Sequence, residues 1–188
     1  MEHKGTQTIR TKRLILRRFT VDDAETMFRN WANDPEVTRF LTWEPHSSPE
    51  LTRQLLAMWC KEYCKKDFYN WVIEFEGEPI GNISVVRFNR HSENADLGYC
   101  IGRRYWGQGI MPEAAQAVID YLFDEVGVHR VEISHAVGNP HSGKVAQKCG
   151  LRYEGTKRES FKTLSGEFLD ISYWGIVRGD WENERGNH

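Results

Sequence analysis

The sequence predicts one α/β domain in which helices flank a mixed central sheet. Apolar residues alternate with polar ones in several short segments and recur at helical spacing in others. These segments follow one another in the order β-α-α-β-β-β-α-β-α-β-β, which is typical of a sheet covered by helices. Consecutive early strands predict antiparallel pairing, and the strand-helix-strand unit in the middle predicts a parallel crossover.

The first part of the chain predicts one strand and two helices. Residues 8–19 alternate in hydrophobicity and predict the strand. A helix follows Thr20, a residue type that caps helices, and is expected to end at Pro35. A second helix begins at the cap sequence of residues 47–50. The apolar residues at helical spacing are Ala24, Met27, Phe28, Trp31, Leu51, Leu55, Met58 and Trp59.

The later segments complete the predicted sheet. A tight turn at Gly77-Glu78 joins two strands into a hairpin. The predicted strands cover residues 69–76, 79–86, 95–101, 130–136, 153–161 and 168–178, and the predicted helices cover 111–126 and a short segment after Asn139. No linker or repeat divides the chain, so residues 1–188 form one domain with a core over about 8–180 and polar ends that we expect to be frayed.

The composition excludes several classes of function. The net charge of −2 lacks the basic excess of a nucleic-acid-binding domain, so no nucleic-acid partner is expected. We find no secretion signal and no apolar stretch long enough to span a membrane, and we expect a cytoplasmic monomer or homodimer. The four cysteines lack CxxC spacing, and His135 and His141 have no partner at ligand spacing, so we expect no metal site.

A glycine-rich turn lies between the predicted strand 95–101 and the helix that follows it. Gly107 and Gly109 let a ligand approach the backbone closely, and the helix N-terminus adds partial positive charge. We expect Arg103 and Arg104 to add further positive charge. The turn therefore suits a pyrophosphate, although an isolated Gly-x-Gly is as often a tight turn alone.

Other phosphate-binding motifs fit this turn poorly. The P-loop ending Gly-Lys-Ser/Thr is absent, and Pro112 stands where the third glycine of the dinucleotide motif belongs. A nucleotide-dependent enzyme that uses the turn for ATP or NAD is therefore an alternative, but not the favoured one.

The turn also resembles that of a known family. Arg104-Tyr-Trp-Gly107-Gln-Gly109 resembles the R/Q-x-x-G-x-G/A signature of the GNAT family of N-acetyltransferases, and residues 139–155 resemble its N-x-x-S…K-x-G-F…E-G segment. Residues 11–19, 43–45 and 166–173 resemble the RimJ/RimL-like branch, which acetylates ribosomal-protein N-termini. The resemblance covers residues 8–180 and implies the GNAT fold, acetyl-CoA as co-substrate and an amine acceptor.

The resemblance also implies roles for particular residues. A bulge in strand 97–101 splays it from the strand that begins at Arg130, so that a backbone N–H near Cys100 or Ile101 meets the thioester carbonyl. Asn139 contacts the pantetheine arm, and Ser142 protonates the leaving thiolate. The expected pyrophosphate ligands are the backbone N–H groups of residues 104–110, among them Arg104, Gly107, Gln108, Gly109 and Ile110.

Some of these residues have alternative roles. Asn139 and Ser142 are also common helix caps, and a cap role can coexist with the functional one. Covalent catalysis by Cys100 is disfavoured because no His or Lys lies beside it in the sequence to lower its pKa.

The acceptor side is less well defined. We expect Trp43, Glu44 and Trp71 to wall the acceptor cleft, with the early helices at its rim. The candidates for the general base are Glu44, Glu113, Glu159 and Glu167. Lys162 stands near the position where related ribosomal-protein acetyltransferases have a glutamate, which leaves both the base and the acceptor class open.

The sequence as a whole favours an N-acetyltransferase in which an amine attacks acetyl-CoA directly in a ternary complex. The expected acceptor is a primary amine, with a protein or peptide N-terminal amine preferred, and the N-terminus of a ribosomal protein is one candidate. The alternatives are a small amine such as a polyamine, amino acid or antibiotic, and a non-catalytic acyl-CoA-binding module on the same fold.

Overall fold

A computed structural model describes residues 1–186 and contains an eight-stranded sheet with the strand order β1-β2-β3-β4-β5-β6-β8-β7. The strands are β1 (Ile9–Arg10), β2 (Leu14–Arg17), β3 (Asn70–Phe75), β4 (Glu78–Asn89), β5 (Asn94–Ile101), β6 (Arg130–Ala136), β7 (Arg152–Lys162) and β8 (Phe168–Val177). Among the described residues, β5 and β6 are parallel and the other neighbouring strands are antiparallel. The predicted mixed sheet with a central crossover is therefore confirmed.

Helices cover both faces of this sheet. They are α1 (Ala24–Met27), α2 (Pro35–Thr38), α3 (Pro49–Glu62), α4 (Ile110–Tyr121), α5 (Pro140–Lys148) and α6 (Arg178–Gly186). One core cluster lies between the sheet and α4, and a second lies between the opposite face and the early helices α1 and α3. Within residues 1–186, none of the helices has the length and apolarity needed to cross a membrane.

The N-terminal segment differs from the prediction. The expected strand 8–19 is a hairpin of β1 and β2, because the Thr11 hydroxyl accepts a hydrogen bond from the Leu14 N–H (2.9 Å) and closes a turn between them. Residues 1–8 are not frayed at their inner end, since the Tyr121 hydroxyl donates to the Gly5 carbonyl (2.7 Å). Thr6 is 1 % exposed and its hydroxyl bonds to the backbone next to β3.

The first predicted helix is also interrupted. After a 3₁₀ turn at Val21–Asp23 the chain forms α1 and then a π turn at Phe28–Ala32. Pro35 does not only end this helix, because Asp34 caps α2 by accepting a hydrogen bond from the Glu36 N–H (3.0 Å). By contrast, α3 begins where predicted, with the Ser48 hydroxyl accepting from the Leu51 N–H (3.2 Å).

The C-terminal end forms a helix that the sequence did not predict. Trp181 in α6 is 6 % exposed and stacks on Phe123, with 5.0 Å between the ring centroids. Its indole N–H donates to the Asp120 carboxylate (2.8 Å). The prediction of a frayed end from residue 181 is therefore wrong up to residue 186, and Asn187 and His188 lie outside the described residues.

The two parallel strands separate part of the way along their length. Residues 94–97 of β5 pair with residues 130–133 of β6, and beyond this point β5 pairs only with β4 while β6 pairs with β8. The bulge lies on β4, where Val86 is the extra residue between Val85 and Arg87, and not on β5 as expected. The strands nevertheless diverge as predicted and leave a gap between the end of β5 and α5.

We expect Trp181→Ala to lower the free energy of unfolding by about 3 to 5 kcal/mol, because it removes a buried indole from its stack on Phe123. Urea denaturation of the variant and of the parent protein measures this difference. Met58→Ala is the control, since Met58 is 62 % exposed on α3 and its truncation should change stability by less than about 0.5 kcal/mol. An equal effect of the two substitutions would show that α6 contributes no core packing.

Candidate active site

A cleft of about 220 Å³ opens where β5 and β6 diverge. It runs between the C-terminal part of β5, the glycine-rich turn with the start of α4, and the exposed side of α5. Its lining residues include Val37, Phe40, Leu41, Tyr99, Cys100, Ile101, Trp106, Gly107, Gly109, Ile110, Asn139, His141, Ser142, Lys144 and Lys148. The structure thus brings together most of the residues expected to bind a cofactor.

The turn before α4 has the conformation that an anion site needs. Gly107 and Gly109 have φ angles of +75° and +72°, in the left-handed region that favours glycine. Gly109 is the N-cap of α4 and no side chain caps this helix end. The first N–H groups of a helix lack partners within the helix, so they are available to an anion at the positive end of its dipole.

Two arginines next to this turn do not contribute the charge expected of them. Arg103 pairs with Asp34 (2.5 Å), and Arg104 pairs with Glu78 (3.0 Å) while its guanidinium lies over the Tyr105 ring. Neither residue lines the cleft. Lys144 and Lys148 on α5 do line the cleft, and neither was predicted from the sequence to bind the cofactor.

Gln108 and Glu113 have structural roles in the turn. The Gln108 side chain donates to the Arg104 carbonyl (2.7 Å), and the Arg13 guanidinium donates to the Gln108 carbonyl (3.1 Å). Arg13 also pairs with Glu113 (2.6 Å), which accepts a further hydrogen bond from the Thr11 hydroxyl (2.6 Å). Burial raises the pKa of Glu113, but these hydrogen bonds outweigh it and the net pKa lies below the usual value. Glu113 is therefore a poor candidate for the general base.

The register of β5 decides which backbone groups face the gap. The Gly102 N–H donates to the Ile80 carbonyl of β4 (2.9 Å), and antiparallel ladders alternate, so Cys100 also exchanges backbone hydrogen bonds with β4. Tyr99 and Ile101 therefore direct their backbone groups to the other side, toward the gap. Consistent with this, the Ile101 carbonyl accepts from the Trp106 indole N–H (2.9 Å).

The thiol of Cys100 is unsuited to covalent chemistry. It is 9 % exposed and donates to the Asn82 side-chain carbonyl (3.0 Å). Burial raises the pKa of Cys100 to about 12, so the nucleophilic thiolate is scarce at neutral pH.

Asn139 and Ser142 form a connected pair at the start of α5. The Asn139 amide donates to the Ser142 hydroxyl (3.1 Å), and Asn139 makes no side-chain cap for the helix. The Tyr99 hydroxyl donates to the Ser142 carbonyl (3.2 Å), which ties α5 to β5 across the gap. The alternative in which Asn139 serves only as a side-chain cap of α5 is therefore wrong. Ser142 lies in the cleft wall.

The residues predicted for the acceptor side do not line the cleft. Trp71 is 0 % exposed, packs against Tyr121 of α4 and donates its indole N–H to the Gln7 carbonyl (2.6 Å), so its assignment to an acceptor cleft is wrong. Its side chain lies in the core because it is on the sheet face that α4 covers. Trp43 is half-buried against the second core cluster and Glu44 is exposed in the same loop.

A second cavity of about 280 Å³, here called the polar basin, lies on the sheet face opposite to α4. It is lined by Arg87, Asn89, Asn94, Asp96, Glu132, Lys157 and Tyr173. Asp96 is 5 % exposed; one carboxylate oxygen accepts from Arg87 (2.8 Å), and the other has no hydrogen-bond partner among the described residues. Burial raises the pKa of Asp96 by more than Arg87 lowers it.

Asp96 is a candidate acid or base that was not predicted from the sequence. The available signal was a charged residue between two apolar ones, Ala95 and Leu97, in a predicted strand. Alternation places its side chain on the opposite face from theirs. Of the four predicted candidates for the general base, Glu159 and Glu167 lie exposed on the hairpin of β7 and β8.

Comparisons with known proteins agree with the geometry. Residues 13–152 match the family described as acetyltransferase (GNAT) domain. The [ribosomal protein uS5]-alanine N-acetyltransferase of Escherichia coli is 29% identical over 91% of this chain and 91% of its own length. The L-amino acid N-acetyltransferase AaaT of the same organism is 26% identical, over 88% of this chain and 98% of its own.

A solved structure supports the fold independently. The ribosomal L7/L12 α-N-protein acetyltransferase RimL, in complex with coenzyme A, superimposes with a TM-score of 0.81 at 20% identity. The superposition covers 91% of this chain and 98% of RimL. At this level of identity the likeness shows a shared fold.

We expect native protein treated with iodoacetamide at pH 8 to be alkylated at Cys64 and to remain unmodified at Cys100 and Cys149. Cys64 is exposed, whereas burial raises the pKa of both Cys100 and Cys149 to about 12, well above the pH of the experiment. Peptide mass spectrometry measures the modification, with urea-unfolded protein as the control in which all thiols react. Rapid alkylation of Cys100 in the folded protein would reinstate it as a candidate nucleophile.

Proposed function

The chain belongs to the GNAT family of acetyltransferases, and from this premise we propose that it transfers the acetyl group of acetyl-CoA to a primary amine. When bound, acetyl-CoA supplies an acetyl group activated as a thioester. The observation that carries the proposal is the single cleft that joins an uncapped helix N-terminus to the open edge of a splayed strand. Such a cleft suits a long ligand with a pyrophosphate at one end and a reactive carbonyl at the other.

The turn residues fit the pyrophosphate. A Cβ built at Gly107 would meet no atom within 4 Å, so the backbone is open to a ligand and the glycine is needed for its positive φ. Gly107, Gly109 and Ile110 line the cleft, so the N–H groups at the start of α4 are available there to an anion. Lys144 and Lys148 of α5 line the same cleft. Asn139 lies farther along the cleft, where it would contact the pantetheine arm.

The open edge of β5 fits the reactive carbonyl. In the proposed reaction, negative charge develops on the carbonyl oxygen as the amine attacks, and a fixed backbone donor stabilises that charge. Tyr99 and Ile101 are the candidate donors because the backbone groups of both residues face the gap. Cys100 contributes no nucleophile, which supports direct attack in a ternary complex.

Ser142 is the proposed proton donor. The reaction forms a bond between the amine nitrogen and the acetyl carbon, breaks the carbon–sulfur bond, and needs a proton for the thiolate. The Ser142 hydroxyl lies in the cleft wall and is oriented by the Asn139 amide. The ammonium must also lose a proton, and we propose that Asp96 receives it, because Asp96 is a buried carboxylate one residue before the point where β5 and β6 separate.

For the acceptor we propose a protein or peptide N-terminal amine. The proposal is supported by the relative named for the uS5 alanine and by the RimL fold. A free amino acid is the second candidate, supported by the relative AaaT and by a basin of only about 280 Å³. Trp43 and Glu44 remain predicted acceptor contacts in the loop that follows Phe40 and Leu41 of the cleft wall.

We expect acetyl-CoA at about 100 times its dissociation constant to raise the melting temperature by about 5 to 10 °C, whereas ATP and NAD should not. Gly107→Glu should abolish this shift, since it places a negative charge and a strained left-handed residue in the anion site. Differential scanning fluorimetry measures both effects.

Gly77→Glu is the matched control for this experiment. Gly77 also has a positive φ (+79°) and no atom within 4 Å of a built Cβ, but it lies in the hairpin turn before β4. Both substitutions should destabilise the protein by about 1 to 2 kcal/mol, and only Gly107→Glu should lose the acetyl-CoA shift. A larger shift with ATP or NAD, or a full acetyl-CoA shift in Gly107→Glu, would rule out the proposed cofactor site.

We expect Ser142→Ala to lower kcat about a hundredfold while the KM for acetyl-CoA changes little, because general acid catalysis acts mainly in the transition state. Thiol release from acetyl-CoA, followed with a chromogenic disulfide, measures both constants. Ser165→Ala on the exposed turn between β7 and β8 is the control and should keep the parent kcat. A normal kcat in Ser142→Ala would assign protonation of the thiolate to water.

A further inference from the structure

The polar basin lies on a face of β5 that also contributes a residue to the cleft wall. Asp96, Gly98 and Cys100 are alternate residues of β5 and share one sheet face, with Asp96 in the basin and Cys100 in the cleft wall. Two residues along a strand span about 7 Å, so the glycine between them lies about 7 Å from each. Val86 covers this glycine and is 63 % exposed, which makes the connecting surface apolar.

The side of the basin that β7 and β8 form lies close to the point where β5 and β6 separate. Pairing of β5 with β6 ends at Leu97 and Ile133, and the next residue of β6, Ser134, lies opposite Tyr173 of β8. Lys157 of β7 lies opposite Ile171 of β8, and its ammonium is 4.4 Å from the Tyr173 ring centroid. The side chains of Tyr173 and Lys157 therefore approach the point where the gap begins.

Among the described residues, the charged side chains of the basin are paired except for Lys157. Arg87 binds Asp96 (2.8 Å), and Glu132 binds Arg130 (2.9 Å). Within residues 1–186, Lys157 makes no salt bridge with a carboxylate, and the second carboxylate oxygen of Asp96 has no hydrogen-bond partner. One cavity thus holds an uncompensated cation and an unused anionic hydrogen-bond acceptor. A buried acceptor without a partner is costly unless a ligand satisfies it.

We propose that the polar basin is the acceptor site and that it selects amines with a carboxylate close to the reacting nitrogen. Asp96 accepts a hydrogen bond from the ammonium, and Lys157 pairs with the carboxylate. This inference rests on the proposed acetyl transfer and adds the chemical class of the acceptor. A free α-amino acid has this chemistry, and so does a peptide whose second residue is acidic.

The test compares matched acceptors that differ only in the carboxylate. The standard L-amino acids are assayed singly against their α-carboxamides, and the peptide amide Ala-Asp-Gly-Gly against Ala-Asn-Gly-Gly, by release of CoA thiol. We expect the carboxylate member of the productive pair to have a KM lower by about tenfold, as one charge-assisted contact would give. Lys157→Gln should remove this difference and leave the KM for the neutral member unchanged.

Lys162→Gln is the matched control. Lys162 lies on the same strand with its ammonium 5.3 Å from the Phe168 ring centroid, but it is not part of the basin. It should retain the carboxylate preference. Calorimetric titration of the same acceptors into enzyme saturated with CoA gives binding independently of turnover.

Each outcome has a definite meaning. A carboxylate preference that Lys157→Gln removes supports the proposal, and the amino acid and peptide arms show which source supplies the carboxylate. Equal use of charged and neutral acceptors overturns the inference while acetyl transfer itself stands. If no carboxylate-bearing amine is bound or acetylated, the inference fails, and if acetyl-CoA also gives no thermal shift, the proposed function fails with it.

Discussion

The rest of the site depends on one constraint, the end of parallel pairing between β5 and β6 at Leu97 and Ile133. Up to this point the backbone N–H and C=O groups of the two strands form hydrogen bonds with each other. Beyond it, β5 has hydrogen-bond partners on the β4 side only, so the N–H groups of Tyr99 and Ile101 face open space. A sheet without this divergence would have neither a cleft nor free backbone donors at its centre.

The two cavities result from the alternation of side chains along β5. Tyr99 and Ile101 point to the side of α4 and α5, where the glycine turn and Ser142 lie. Asp96 points to the opposite sheet face. The early helices do not cover the part of that face where the basin lies. One strand therefore separates a cleft suited to an anionic ligand from a basin with unpaired charge. In the proposed reaction, the two reactants meet at the gap from opposite faces of the sheet.

The sequence predicted local features well where one segment carries its own signal. Ser48 caps α3, Gly109 precedes α4, and the limits of β6 are as predicted, because caps, positive φ and alternation are properties of neighbouring residues. Prediction from the sequence failed where contacts with residues distant in the chain determine the environment of a side chain. Whether Trp71 is buried depends on which sheet face α4 covers. Whether Arg103 and Arg104 can bind a ligand depends on their salt bridges with Asp34 and Glu78. Asp96 was missed because its significance lies in a lost partner, which no local pattern records.

Segments near both ends of the described chain contact the C-terminal end of α4. Gly5 binds Tyr121 on one side, and Trp181 binds Asp120 and stacks on Phe123 on the other. The opposite end of this helix, about 18 Å away for twelve residues, begins at Gly109, where we propose the anion site. The helix therefore connects the two ends of the described chain to the proposed cofactor turn, and fusion tags or truncations at either end are expected to change ligand affinity as well as solubility.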